Sequence, residues 1–106
     1  MPKFLFAASY KPEGLEGVRK EGADARIRAI EGLVADLGGK VESFYFAFGD
    51  VDAFVTVDLP DDETAAAMTL AVGASGLVTT TTTKLLTGAQ IDQAFAKSVP
   101  YRAPGA

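Results

Sequence analysis

The segment Val41–Phe48 is apolar on both of its faces if it forms a β-strand. Successive side chains point to opposite sides of a strand, so its residues divide into two sets. One face would carry Phe44, Phe46 and Phe48, and the other would carry Val41, Tyr45 and Ala47. A small sheet with helices on one side leaves its other side uncovered. The pattern therefore predicts a second covering layer, supplied by another copy of the chain.

The remaining patterns predict alternating strands and helices. Apolar side chains indicate strands in two further segments, a run of β-branched threonines indicates another, and apolar side chains recur with the period of a helix in three others. The predicted elements are strands at Lys3–Ser9, Val41–Phe48, Asp52–Leu59 and Leu77–Leu86, an amphipathic helix at Ile27–Leu37, an alanine-rich helix at Glu63–Ala74 and a short helix from the capping box Thr87–Gln90 through Phe95. The glycine-containing segment after Pro12 predicts only one or two helical turns, or a structured loop, because each helical glycine costs about 1 kcal/mol.

This order predicts an α+β fold of the ferredoxin-like βαββαβ type with an additional C-terminal helix. Right-handed crossovers place both main helices on one face of a four-stranded antiparallel sheet, with the first and third strands in its centre. Two such sheets packed face to face would form a dimeric α/β barrel. We expect one domain over residues 1–98 and an irregular tail over residues 99–106.

Composition excludes several kinds of chemistry. The 106 residues contain no cysteine and no histidine, which removes disulfides, thiolate chemistry and imidazole ligands, and we expect neither a metal nor a cofactor. The formal charge of −4 makes nucleic acid an unsuitable partner. No apolar run approaches the roughly 20 residues of a membrane helix, so we expect no membrane partner and a cytoplasmic location.

Five residues are candidates for ligand binding. Asp50 and Asp52 follow a turn, where a carboxylate either acts on a ligand or bonds to nearby backbone amides. Tyr45 either donates a hydrogen bond to a ligand or packs in an interface. Phe54 lies in the following strand, and if Asp52 points to the same face as Phe54 it lies beside that interface. Arg26, at the head of the amphipathic helix, either binds an anion or pairs with acidic neighbours. For each of these residues the structural role is the more economical interpretation.

The segment Phe46–Asp52 resembles the GYD domain family, small bacterial proteins named for a Gly, Tyr, Asp pattern. Gly49 and Asp52 match that pattern, while Val51 stands where the family usually has tyrosine. The resemblance continues along nearly the whole chain, including Gly38-Gly39-Lys40 and the closing Tyr101–Gly105. It implies a fold of the ferredoxin-like, dimeric α/β-barrel group and no particular activity.

Three functions are compatible with these observations. The first is a homo-oligomeric domain that binds a small apolar or aromatic molecule between sheet and helices. The second is a cofactor-free enzyme of the isomerase or monooxygenase type, whose acid and base groups would be Asp50, Asp52, Tyr45 and Tyr10. The third is a purely structural oligomer. Because histidine and cysteine are absent, we rank ligand binding above catalysis.

Overall fold

The computed structural model describes residues 1–106 and contains four strands and four helices. In chain order these are β1 (Lys3–Tyr10), α1 (Pro12–Glu21), α2 (Ala23–Asp36), β2 (Lys40–Phe46), β3 (Ala53–Asp58), α3 (Asp62–Ala74), β4 (Val78–Leu85) and α4 (Gly88–Phe95). The strands form one sheet in the order β2-β3-β1-β4, and every neighbouring pair is antiparallel. The predicted ferredoxin-like α+β fold with β1 and β3 in the centre is therefore confirmed.

The central strands divide their residues between the two faces as the sequence predicts. In β1, Phe4 and Phe6 are buried, and the intervening Leu5 and Ala7 lie on the opposite, more exposed face. Most buried residues of β1 and β3 pack with α2 and α3 in one core, while Ala8 and Ala53 form a smaller cluster with Val78 of β4. The members of the larger core are Phe4, Phe6, Ile30, Val34, Val55, Val57, Leu59, Ala65 and Met68. Both long helices thus cover the same face of the sheet, and its other face, here called the open face, has no covering layer.

The predicted division of the aromatic strand is partly wrong. A bulge interrupts the pairing of β2 with β3 between Val41 and Ser43. A bulge inserts one residue and shifts the alternation, so Val41, opposite Val57, lies on the same core-facing side as Phe44, opposite Val55. Phe48 lies beyond the end of β2 and is fully exposed. The open face consequently receives only Tyr45 from the three aromatic residues of β2.

The helix after Pro12 is longer than the one or two turns predicted. It is α1, a helix of ten residues. Pro12 occupies the first helical position, where the fixed φ angle of proline already has a helical value. The backbone amide of Lys11 donates to the carbonyl of Leu77 at 2.9 Å, which fastens the start of α1 beside β4. Gly22, with φ of +102°, ends α1 and changes the chain direction before α2.

The two later helices, α3 and α4, both begin with a side-chain cap. Asp61 caps α3 by accepting a hydrogen bond from the amide of Thr64 at 2.8 Å, and the hydrogen bonds from Thr64 lower the pKa of the Asp61 carboxyl. At α4, Thr87 and Gln90 form the predicted capping box. These side chains satisfy amide groups that have no partner within their helices.

The C-terminal arm, residues 87–106, extends away from the body of the domain. None of its residues is buried. The chain measures 56 by 33 by 23 Å and has a radius of gyration of 16.9 Å, against about 13 Å for a compact domain of this length. The arm therefore forms a well-capped helix and a tail with little packing against the rest of the chain. No helix in the structure combines the length and the apolarity that crossing a membrane requires.

Replacing Gly14 by alanine should destabilise the domain, although alanine is the better helix former. A β-carbon at Gly14 would clash with the carbonyl oxygen of Leu77, so α1 must move away from β4. We expect a loss of about 1–3 kcal/mol in the free energy of unfolding. The matched control is Gly17→Ala in the same helix, where a β-carbon meets nothing within 4 Å, and which should gain up to about 1 kcal/mol. Urea unfolding measures both, and a stabilised Gly14→Ala protein would contradict the packing.

Candidate functional site

The two long helices leave a groove between them. α2 and α3 cover the same face of the sheet but hardly approach each other. The resulting groove has a volume of about 450 Å³, within the range of small-molecule sites. α1 and α2 form one wall, and the C-terminal half of α3 forms the other. Among its apolar lining residues are Val18, Ala29, Leu33, Ala71 and Leu77.

A smaller cavity of about 40 Å³ lies next to the groove, against the sheet. Most of its lining is apolar and includes Phe6, Phe44 and Met68. The groove and the cavity share Tyr10, Arg26, Ile30, Val72 and Val78, so they are two parts of one cleft. Here "the cleft" means both parts together. Its floor is the sheet, and its walls are the three helices α1, α2 and α3.

Arg26 is the charged residue common to both parts of the cleft. It lies one helical turn before the buried Ile30, so both side chains point from α2 towards the sheet. The Nε atom of Arg26 is buried and has no hydrogen-bond partner. None of the four ion pairs of the structure includes it. Glu21 is the one acidic residue of the lining, on the groove side, and the lining of the inner cavity contains no carboxylate.

The two candidate aspartates lie at the hairpin between β2 and β3, outside the lining of the cleft. The carboxylate of Asp52 accepts a hydrogen bond from the backbone amide of Tyr10 at 2.8 Å, and the amide of Asp52 donates to the carbonyl of Ala8 at 2.9 Å. Asp52 therefore ties the hairpin to the end of β1. Asp50 is exposed, and its backbone carbonyl accepts a hydrogen bond from Ser9.

The two candidate aromatic residues lie side by side on the open face. Tyr45 of β2 stands opposite Phe54 of β3. Their exposures are 72% for Tyr45 and 42% for Phe54, which is high for large aromatic side chains in a sheet. They are separated from Arg26 by the thickness of the sheet. The five sequence-derived candidates are thus distributed over three places: the cleft, the hairpin and the open face.

Charged and hydroxyl side chains border the aromatic pair. Lys3 of β1 forms ion pairs with Glu42 and with Asp58, the latter at 2.9 Å. Hydrogen bonds to these two carboxylates raise the pKa of Lys3 above its usual value, Glu42 being the larger cause. Ser43 and Thr56 share a hydrogen bond nearer to the pair. The open face therefore has an apolar centre and a polar margin with charges of both signs.

The apolar residues of the cleft were not among the sequence-derived candidates, because they have the pattern of core residues. Ile30, Met68 and Val72 all lie on the predicted inner faces of their helices, and the sequence gives no measure of the distance between those helices. The one feature of the sequence that could have indicated a cleft is the small size of several residues on these helices. Gly17 in α1, Ala29 in α2 and Ala71 in α3 each line the groove and add little volume to its walls.

The fold and the cleft define an α+β sheet-and-helix domain with a mostly apolar cleft that Arg26 lines in both of its parts. The GYD domain family matches residues 4–95, from the second residue of β1 to the last residue of α4. The chain belongs to the GYD domain family, as its sequence resemblance predicts. No curated protein and no solved structure matches it. The match includes α4, although α4 packs little against the body.

Replacing Asp52 by alanine should loosen the junction between the hairpin and β1. The change leaves the amide of Tyr10 without its acceptor, and we expect a loss of about 1–3 kcal/mol in the free energy of unfolding. Asp52→Asn keeps a side-chain carbonyl at this position and is the matched control, with a loss of less than about 1 kcal/mol. Urea unfolding and amide hydrogen exchange at Tyr10 measure the effect. Equal stabilities of the alanine and asparagine variants would contradict this structural role.

Proposed function

We propose that this GYD-family chain is a homo-oligomeric domain that binds a small apolar or aromatic molecule in the cleft. The observation that carries the proposal is the cleft itself, a mostly apolar space of about 450 Å³ in its outer part, located between sheet and helices. Protein interiors are normally close-packed. A space of this size with an apolar wall and few polar groups has the composition of a ligand site.

Catalysis is less well supported than binding. A cofactor-free enzyme would need acid and base groups beside its substrate. Of the residues considered for that role, Asp50, Asp52 and Tyr45 do not line the cleft, and only Tyr10 does. The carboxylate of Asp52 is also engaged by the backbone of Tyr10. The groups that line the cleft favour recognition of a ligand without its chemical conversion.

Self-association is the second part of the proposal, with a second copy of the chain as the occupant of the open face. A four-stranded sheet about seven residues long presents roughly 19 by 23 Å. Standard interfaces bury about 800 Å² on each partner, so the open face alone is small for a stable dimer. The C-terminal arm adds exposed apolar side chains at Ile91, Phe95, Val99 and Tyr101.

Charge also favours contact between the arm and the body of another copy. Residues 1–86 contain thirteen acidic and eight basic side chains, whereas the arm contains one acidic and two basic ones. Complementary charge guides association and opposes wrong orientations. The polar margin of the open face carries both signs, so two such faces can meet without uniform repulsion. These features support a dimer in which sheet faces and arms are both buried.

Occupation of the cleft can be tested with 2-naphthalenemethanol, an uncharged aromatic probe. We expect saturable binding, with NMR shift changes at Tyr10, Val72 and Val78. Gly17→Leu should abolish this binding, because a side chain there projects into the groove without a clash. The matched control is Gly32→Leu, also at an unobstructed helical glycine but outside the cleft lining. No binding, or shifts confined to the open face, would refute the ligand site.

Self-association can be tested by light scattering at micromolar concentration. We expect a particle of at least twice the chain mass of 11.0 kDa. Phe54→Glu should dissociate it, because the substitution brings carboxylates together at the centre of the interface. Phe48→Glu is the matched control, since Phe48 is fully exposed outside the sheet, and it should leave the mass unchanged. A monomeric native protein, or an equal effect of both variants, would contradict the dimer.

A further inference from the structure

Arg26 brings an unneutralised cation into an otherwise apolar cleft. An arginine side chain remains protonated under all ordinary conditions and carries only donors. The buried Nε of Arg26 is the one buried side-chain nitrogen or oxygen of the structure that lacks a hydrogen-bond partner. Buried polar groups are nearly always satisfied, and an exception calls for a physical explanation. A buried donor without a partner costs stability relative to a satisfied one.

The surroundings of Arg26 indicate what would satisfy it. The inner cavity contributes no carboxylate, and its polar lining consists of the hydroxyl-bearing residues Tyr10, Thr69 and Thr80. Glu21 lines the outer groove but is exposed and forms no ion pair with Arg26. An acceptor that carries negative charge is therefore missing from the side of the cleft that contacts the sheet.

We infer that the cleft binds a small carboxylic acid whose carboxylate lies against the guanidinium of Arg26 and whose apolar body lies among Ile30, Val72 and Val78. This inference rests on the proposed function, because it specifies the ligand of the same cleft. A guanidinium matches a carboxylate with two parallel hydrogen bonds, one of which Nε can donate once the bound acid displaces the side chains that cover this atom. The hydroxyls of Tyr10 and Thr80 line the same space and can add donors to the carboxylate.

The lining distinguishes a carboxylate from a phosphate. Phosphate sites in proteins commonly combine several donors, such as successive backbone amides at a helix N-terminus with a lysine or arginine. The cleft has one lining cation and mostly apolar walls. A singly charged acid with an aromatic or branched apolar body matches this balance of one charge and a large apolar surface.

The test compares 2-naphthoic acid with 2-naphthalenemethanol, which have the same ring system and differ in charge. The native protein should bind the acid roughly tenfold or more tightly than the alcohol, because hydrogen bonds to charged groups are the stronger ones. Arg26→Met should remove this preference and leave the affinity for the alcohol within about threefold. Arg28→Met, on the same helix but exposed and outside the cleft lining, is the matched control and should keep the preference.

Two further measurements do not depend on ligand affinity in the variant. In the native protein, the Arg26 Nε–H resonance should move on addition of the acid and stay in place with the alcohol. In the ligand-free state, Arg26→Met should raise the thermal midpoint by a few degrees, because it removes the unpaired donor. A purely structural arginine would give a lower midpoint instead.

The outcomes separate this inference from the proposed function. The carboxylate inference is wrong if the native protein binds acid and alcohol equally, or if the Nε–H resonance does not shift when the acid is added. Either result leaves the proposed binding function intact. Failure of both probes to bind overturns both. If Arg26→Met does not fold, the Nε–H resonance of the native protein decides the question.

Discussion

The sheet has helices on only one of its faces, and the rest of the structure depends on this constraint. Alternation along β1 and β3 directs Phe4, Phe6, Val55 and Val57 into one core under α2 and α3. Apolar surface stabilises the fold through the hydrophobic effect only where it is buried from water. The apolar surface that remains is found on the open face around Phe54, along the C-terminal arm and in the cleft. These three places are where the chain can gain stability by contact with another molecule.

The cleft exists because α2 and α3 hardly approach each other above the sheet and because their facing residues do not fill the gap. Ala71 in α3 and Ala29 in α2 are small, and Arg26 occupies the position where an apolar side chain would extend the core. A sequence optimised for stability alone would place an apolar side chain there, since a buried unpaired donor is costly. Local departures of this kind are expected at functional sites, where stability is given up for binding.

Much of the fold follows from local patterns in the sequence, and the departures have identifiable causes. The order of the strand and helix patterns, including the helical stripe through Ile30 and Val34, predicts the topology when the crossovers are right-handed. The bulge after Val41 involves the pairing with β3, and α1 approaches the distant Leu77 closely at Gly14. Neither contact can be found from local sequence patterns. The candidate site was less predictable. Arg26 could be named as a candidate from the sequence because arginine binds anions. That its Nε is buried without a hydrogen-bond partner depends on how α2 packs against segments distant in the sequence.

The central claim is that apolar surface left by the one-sided cover of the sheet is filled by a second copy and by a ligand. A crystal structure of the native protein grown with 2-naphthoate tests it most directly. We predict two chains with their open faces in contact around Tyr45 and Phe54, and naphthoate between α2 and α3 with an oxygen within hydrogen-bonding distance of Arg26 Nε. Separate chains whose open faces contact only solvent, with no naphthoate in the cleft, would contradict the account.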